Sequence, residues 1–362
     1  MKYKIAVLTT TRAEYGLLKT VVKEMQLDKD INEYLIVSGT HLSRNNGYTL
    51  HQIIDDGFSP SALINLGIDD ANSITDVTAE SIKKTSDALK SINPDFLIVL
   101  GDRHETLGAA LSAYINNISI IHIHGGETTL GSLDQGFRNS ISQLATLHLT
   151  SADVHKENLI KMGIDKKYIT TIGPMVLDII NNHRTLTKQE FINNTGYKFS
   201  KNNLLFTFHP EKIENEYGIE LLDNLLESIT LSGANVLITY PNADEGGELI
   251  KRKLIEFVDK DSSKYFIIPS LGIELYIAAL KLFDAVVGNS SSGIIEAPLV
   301  GIPVLNVGNR QLGRTRFGKV IDSENSKYSL NFNLKLILES KIKQNIPRTK
   351  IKKQDSPSQK II

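Results

Sequence analysis

The chain has 362 residues, 41% of them apolar, a formal net charge of −1 and no cysteine. That length suits two domains with cores of their own. Balanced charge argues against a nucleic-acid surface as the main role, and a cysteine-free chain has neither disulfides nor a thiol nucleophile. No apolar run approaches the ~20 residues of a membrane span. The apolar part of residues 1–8 is too short for a secretory signal and reads as a first buried strand, so the cytoplasm is the expected location.

Short apolar runs then alternate with longer amphipathic stretches. Strands are predicted at 5–9, 34–38, 96–100, 118–123, 147–150 and 169–172, with helical patterns such as 15–25 and 105–115 between them. Near-continuous apolar strands separated by helices mean βαβ units and parallel sheets covered on both faces. After Gly173-Pro174 a helix-like stretch and a polar segment at 193–203 lead to a second series. Its strands are predicted at 204–208, 236–239, 265–268, 285–287 and 304–307, and its helices at 219–231, 248–258 and 273–282. Two Rossmann-like doubly wound α/β domains, 1–178 and 179–362, are expected to face a central cleft. From Lys335 onward the chain holds eight Lys or Arg against two acidic residues, which reads as a solvated final helix or tail.

Polar groups recur where predicted strands end. Thr9-Thr10-Thr11-Arg12 closes the first strand and suits a phosphate, but it lacks the glycines of the dinucleotide fingerprint. Gly101-Asp102-Arg103 follows the apolar run 96–100, at the carboxyl edge where open α/β sheets bind ligands. Asp102 there is an acid, a base or an arginine-paired structural charge. The next strand ends in His122-Ile123-His124-Gly125-Gly126-Glu127. Neither histidine has the spacing and carboxylate partners of a zinc site. Asp134 and Arg138, four residues apart, share a helix face. In the second half His209 follows a strand, Tyr240-Pro241-Asn242 follows the next, and Arg310 and Arg314 follow a later one. The most informative segment is Gly288-Asn289-Ser290-Ser291-Ser292-Gly293. It lies between an apolar run at 282–287, read as a strand, and Ile294-Ile295-Glu296-Ala297, read as a helix start. A small-residue loop in that position leaves backbone N–H groups and the helix dipole aimed at one point, which is a phosphate site. Gly293 either approaches a diphosphate closely or packs under the helix start.

Together these segments resemble the hydrolysing UDP-N-acetylglucosamine 2-epimerases, the sialic-acid-pathway branch of the UDP-sugar 2-epimerase family. The matching runs are Thr11–Gly16, Gly39-Thr40-His41-Leu42, Gly101-Asp102-Arg103, His122–Glu127, Asp134 with Arg138, His209-Pro210, Tyr240-Pro241-Asn242, Gly288–Gly293 with Glu296, and Arg310-Gln311 with Gly313-Arg314, in family order. The resemblance implies the glycosyltransferase-B architecture. It also implies anti elimination of UDP across sugar carbons 1 and 2 to a 2-acetamidoglucal. Water then adds to give free N-acetylmannosamine for sialic acid or surface-glycan synthesis.

By position, the resemblance makes Asp102 and Asp134 the acid/base candidates and has Arg138 orient the sugar or pair with Asp134. It places Arg12 and Arg314 near phosphate and His209 near phosphates and sugar. Asn242 joins the nucleotide set, Ser290, Ser291, Ser292 and Gly293 form the phosphate loop, and Glu296 accepts from the ribose hydroxyls. Many relatives carry glutamate where this chain has His124. Either His124 is an acid or base itself, or Glu127 takes the role. Asn139 stands where relatives often have histidine, and the carboxyl-terminal segment lacks their glycine-rich spacing.

The reaction requires no redox cofactor and no metal-ligand cluster is visible, so no cofactor is expected. The partners expected are a nucleotide sugar and further copies of the chain, as a dimer or tetramer, with no nucleic acid and no membrane. The nearest rival is the same reaction on UDP-N,N′-diacetylbacillosamine, in legionaminic-acid synthesis. A glycosyltransferase of the same fold, which needs an acceptor site, and a non-catalytic nucleotide-sugar sensor are the other readings.

Overall fold

The computed structural model describes residues 2–71, 73–129, 133–182, 184–211, 217–241, 245–339 and 356–362. The chain divides into two units, Met1–Asn181 with Ile351–Ile362, and Asn182–Lys350. In chain order the first contains β1 (Tyr3–Thr9), α1 (Arg12–Leu27), β2 (Ile31–Ser38), α2 (Leu50–Asp55), β3 (Ala62–Ile64), α3 (Ile74–Ile92), β4 (Phe96–Leu100), α4 (His104–Ile115), β5 (Ser119–Ile123), α5 (Asp134–Leu144), β6 (Leu147–Thr150), α6 (Asp153–Lys161), β7 (Ile169–Thr171) and α7 (Val176–Asn182), which runs to the boundary. The second contains α8 (Lys188–Thr195), β8 (Asn203–Thr207), α9 (Ile219–Ser232), β9 (Asn235–Thr239), α10 (Gly247–Asp259), β10 (Tyr265–Ile268), α11 (Gly272–Leu282), β11 (Ala285–Gly288), α12 (Glu296–Val300), β12 (Val304–Val307), β13 (Val320–Ser323) and α13 (Lys327–Glu339). A last helix, α14 (Pro357–Ile361), returns to the first unit.

The first sheet has the order β3-β2-β1-β4-β5-β6-β7 and the second β10-β9-β8-β11-β12-β13. Every strand pair is parallel. Strand order reverses between β1 and β4 and again between β8 and β11. In a doubly wound sheet the loops beyond the carboxyl ends at that switch open outward and form the ligand crevice. The central strands read as apolar runs because both faces are covered. In β4, Leu97, Ile98, Val99 and Leu100 are all buried. Helices cover the faces through apolar stripes at helical spacing, as Leu18, Val21, Val22 and Met25 do in α1. In α5 the inner stripe is Arg138, Ile141 and Ser142. An arginine on a core-facing stripe must find anions inside, and it does.

The structure differs from the sequence reading in several places. The short edge strands β3 and β13 have no expected counterpart. Leu282 ends α11, so the apolar run at 282–287 is a helix end followed by a strand. The expected helix start at Ile294 is a 3-10 turn, Ser291–Gly293, with α12 beginning at Glu296. The last residues, assigned by sequence to the second domain, pack on the first. Asp178 Oδ2 accepts the Ser358 N–H at 2.8 Å and Lys360 Nζ donates to Ile172 O at 3.3 Å. Residues 340–355, most of the basic segment, lie outside the described residues.

Candidate active site

Two groups of residues stand at the carboxyl edges of the sheets, one in each unit. In the first unit the cluster centres on Arg138. Its guanidinium binds Asp102 through Nη2, and through Nη1 donates to Glu127 Oε2 at 3.0 Å and to His124 O at 2.9 Å. The structure thus brings Asp102, His124, Glu127 and Arg138 together, from the loops after β4 and β5 and from α5. Asp134 opens α5 and its charge acts on Asp102. Of the roles expected for Arg138, the ion pairs seen are with Asp102 and Glu127. Arg138 Nε is buried without a hydrogen-bond partner among the described residues.

The loop that carries His124 and Glu127 is held from beneath. His122 is fully buried, with Nε2 2.8 Å from Gly101 O and Nδ1 3.1 Å from Ser142 Oγ. A carbonyl only accepts, so Nε2 carries the proton and Nδ1 accepts from the serine. Burial lowers its pKa to about 3, which keeps it neutral. His122 is therefore a brace between the loops of β4 and β5. Gly126 has φ +77, and a Cβ there would lie 2.3 Å from His155 O, so a side chain would prevent the loop from lying against α6. Asn158 Nδ2 fixes the same loop by donating to Gly126 O at 2.9 Å.

His124 has φ +66, an uncommon conformation for a residue with a side chain. It turns Nδ1 to within 3.5 Å of Glu127 Oε1, while Nε2 accepts a long hydrogen bond from Met175 N at 3.4 Å. Nδ1 therefore carries the proton, and Nε2 is unprotonated with its lone pair directed at the Met175 N–H, a long bond that a reacting proton can displace. Burial lowers the His124 pKa, against the pull of Glu127, so the ring is a neutral base at pH 7. Burial pushes Glu127 up, but His124, Arg138, Ser151 and His155 outweigh it and hold the carboxyl at about 2. Asp102 is raised instead. Burial is the main cause, Arg138 opposes it, and Asp134 and Glu127 add to it. Two carboxylates and an imidazole with environments this different can divide acid and base roles.

Arg12, expected at phosphate, opens α1 and is exposed. Beneath it lies a carboxylate the sequence reading passed over. Glu14 Oε2 accepts from Thr10 N at 2.9 Å and from Thr10 Oγ1 at 2.8 Å. Burial lifts its pKa to about 7 in spite of those bonds.

In the second unit the expected phosphate loop follows β11. Ser290 and Ser291 are half-buried, and Gly293 packs its Cα face on the sheet, where a Cβ would lie 3.3 Å from Val304 Cγ1. Of its two expected roles, that geometry matches packing under the helix start. The tightly constrained glycine is Gly288, with φ +136 and a hypothetical Cβ 1.9 Å from Thr207 O. Ser292 Oγ and Glu296 Oε2 are both buried, and the Ser292 hydroxyl faces the Glu296 carboxyl as a hydrogen-bond donor. Burial raises the Glu296 pKa. Asn242 lies outside the described residues.

Three buried side chains that the sequence reading did not single out join the loops after β8, β11 and β12. Asn289 accepts from His209 N at 2.7 Å and donates to His209 O at 2.9 Å. Gln311 Nε2 donates to Asn289 O at 2.8 Å, and Glu211 Oε1 accepts from Asn309 N at 2.6 Å. His209, the serine loop and the Arg310–Arg314 turn are thereby fixed relative to one another. Asn289 and Gln311 lay inside recognised motifs. Glu211 carried only its position after His209-Pro210, and Ser151 and His155 carried no local signal.

Comparison with known proteins shows the family. The family model described as UDP-N-acetylglucosamine 2-epimerase matches residues 23–361. The chain is 35% identical over 325 residues to the GDP/UDP-N,N′-diacetylbacillosamine 2-epimerase (hydrolyzing) of Campylobacter jejuni, covering 89% of this chain and 85% of that protein. It is 33% identical to the UDP-N,N′-diacetylbacillosamine 2-epimerase (hydrolyzing) of Legionella pneumophila, covering 88% and 84%. It is 32% identical to the UDP-N-acetylglucosamine 2-epimerase of Neisseria meningitidis, covering 88% and 82%. The crystal structure of UDP-GlcNAc 2-epimerase from Neisseria meningitidis bound to UDP-GlcNAc has the same fold, with a TM-score of 0.77 at 19% identity over 99% of this chain and 98% of that one. The chain belongs to the UDP-N-acetylglucosamine 2-epimerase family, and within it stands beside members named as hydrolysing enzymes.

Proposed function

We propose that this enzyme removes UDP from a UDP-2-acetamido sugar and releases the free 2-epimer. The observation that carries the reading is the Arg138 cluster, where Asp102 and Glu127 share one buried guanidinium and His124 faces Glu127. A base takes the proton from sugar carbon 2, its electrons form the carbon 1–carbon 2 double bond, and the bond from carbon 1 to the diphosphate oxygen breaks. Water then adds its hydroxyl to carbon 1 and a proton reaches carbon 2 from the opposite face. Such a sequence needs an acid and a base placed apart in character, which Asp102, Asp134 and His124 supply. His124 is the neutral base. Glu127, held as an anion, orients it and stabilises the imidazolium that forms.

The serine loop, Arg314, His209 and Arg12 are assigned to the diphosphate, whose departure gains from N–H donors and arginine charge. Glu296 is assigned to the ribose. Asn242 keeps its assignment to the nucleotide on sequence grounds.

UDP-N-acetylglucosamine is the first reading of the substrate, with N-acetylmannosamine as product; the motifs are common to both substrate groups, and the pocket around sugar carbons 4 and 6 discriminates between them. UDP-N,N′-diacetylbacillosamine is the second reading, supported by the names of the Campylobacter and Legionella relatives at 35% and 33% identity. Incubating the purified protein with each nucleotide sugar and following UDP release tests both. Release from one substrate, reduced ~10²–10⁴-fold in Asp102→Asn, is the expected result. Release from neither overturns the reading.

A further inference from the structure

Behind Glu127 lies a pair of side chains that neither the motifs nor the proposed chemistry uses. Ser151 follows β6 and His155 lies in the first turns of α6, and both are buried, at 3% and 2% exposure. Ser151 Oγ is 2.5 Å from Glu127 Oε1 and 2.8 Å from His155 Nδ1. On its other side Glu127 Oε1 faces His124 Nδ1 at 3.5 Å. Four groups therefore form one chain, His124–Glu127–Ser151–His155, running from the β5 loop into the interior.

The proton positions in this chain follow from donor and acceptor chemistry. An ionised carboxylate only accepts. Ser151 must then spend its hydroxyl proton on Glu127 and present a lone pair to His155. His155 in turn must carry its proton on Nδ1. His124, on the far side of the same carboxylate oxygen, carries its proton on Nδ1 because Nε2 accepts from Met175 N, and that Nδ1 faces Glu127 Oε1 at 3.5 Å. Every link points toward Glu127, and Arg138 Nη1 adds one more donor at 3.0 Å. A carboxylate held by so many donors is fixed in rotation as well as in charge.

We propose that Ser151 and His155 are positioning residues that lock the Glu127 carboxylate so that His124 is held in the tautomer protonated on Nδ1, with the unprotonated Nε2 turned to the long Met175 N–H contact. The inference rests on the proposed role of His124 in the 2-epimerase reaction and extends it to two residues that touch no reacting atom. The arrangement has the logic of an orienting carboxylate behind a catalytic imidazole, with the carboxylate itself oriented from within.

Two measurements test it, and the first needs no activity. Imidazole nitrogen NMR on the unliganded protein, with signals assigned through His124→Asn and His155→Phe, reads each tautomer directly. Both rings should be neutral and protonated on Nδ1, and in Ser151→Ala the His155 ring should lose that preference. A wild-type His155 protonated on Nε2 alone overturns the proposal whatever the enzyme's substrate.

The second measurement is steady-state turnover. Ser151→Ala and His155→Phe should each lower kcat ~10-fold, with KM and UDP affinity nearly unchanged. The double variant should lose no more than the worse single one, because both act through one chain. Ser151→Thr, which keeps the hydroxyl, should retain most of kcat. Unchanged kcat in Ser151→Ala, or losses that multiply in the double variant, would also overturn it. A wild-type protein that releases no UDP defeats the functional reading instead, and the NMR result then stands alone.

Discussion

Arg138 Nη1 donates to Glu127 Oε2 at 3.0 Å, from a side chain only 7% exposed. The same guanidinium binds Asp102. One buried cation thus holds two carboxylates from two different strand tips. Arg138→Met should leave both without their cation and destabilise the protein by about 3–5 kcal/mol, the usual cost of stranding a buried charge. Arg138→Lys keeps the charge but not the two-pronged geometry. It should recover most of the stability and less than a tenth of the turnover. Denaturant unfolding and UDP-release kinetics on the two variants check this, and equal stability of the two would contradict it.

His124→Asn should fold normally, because asparagine tolerates the positive φ that His124 adopts, and should lose turnover. His124→Glu, which places the relatives' residue there, should restore part of it. In the wild type, the rising limb of kcat/KM against pH should report the base at a value below 6.5. The base works when neutral, and burial lowers its pKa. An unshifted profile in His124→Asn, with turnover retained, would remove His124 from the chemistry.

Glu14 gives a stability signature with a definite sign. Its folded pKa of about 7 lies above the ordinary value of 4.5. The folded state therefore binds its proton more tightly than the unfolded chain does. This favours folding fully below pH 4.5 and is lost as pH rises through 7. Glu14→Gln mimics the protonated group. Its stability relative to wild type should improve between pH 5 and pH 8, by up to roughly 3 kcal/mol. Thermal unfolding of both proteins across that range reads the difference, and a constant offset would show that Glu14 stays charged.

The two glycines of the serine loop should separate. At Gly288 an added Cβ meets the backbone of Thr207 at 1.9 Å, and backbone cannot move aside cheaply. Gly288→Ala should cost about 2 kcal/mol or more. At Gly293 the neighbour is a valine methyl at 3.3 Å, so Gly293→Ala should cost less than about 1 kcal/mol. Parallel denaturation curves decide the order.

These contrasts show what sequence can and cannot disclose. Apolar runs located the central strands because parallel strands covered on both faces are mostly apolar, with a rare buried polar residue such as His122 in β5. The edge strands β3 and β13 went unseen, since Ala62-Leu63-Ile64 and Val320–Ser323 are short and partly exposed. Asp102, His124, Glu127 and Arg138 were legible from their places after strands and on one helix. The partners that fix them were not. Ser151 and His155 reach Glu127 from 24 and 28 positions away in the sequence, across strand β6, and no local pattern encodes a contact made by topology. His122 was visible as a residue, but its role as a brace appears only once Gly101 and Ser142 flank it.

The central claim is that carbon 2 of the sugar loses its proton and regains one from solvent. Running the reaction in deuterium oxide and examining the released sugar by mass spectrometry and proton NMR tests it most directly. The account predicts a free 2-epimerised sugar carrying one deuterium at carbon 2, with one UDP released per turnover. A released sugar with its original hydrogen at carbon 2, or UDP release without epimerisation, would contradict it.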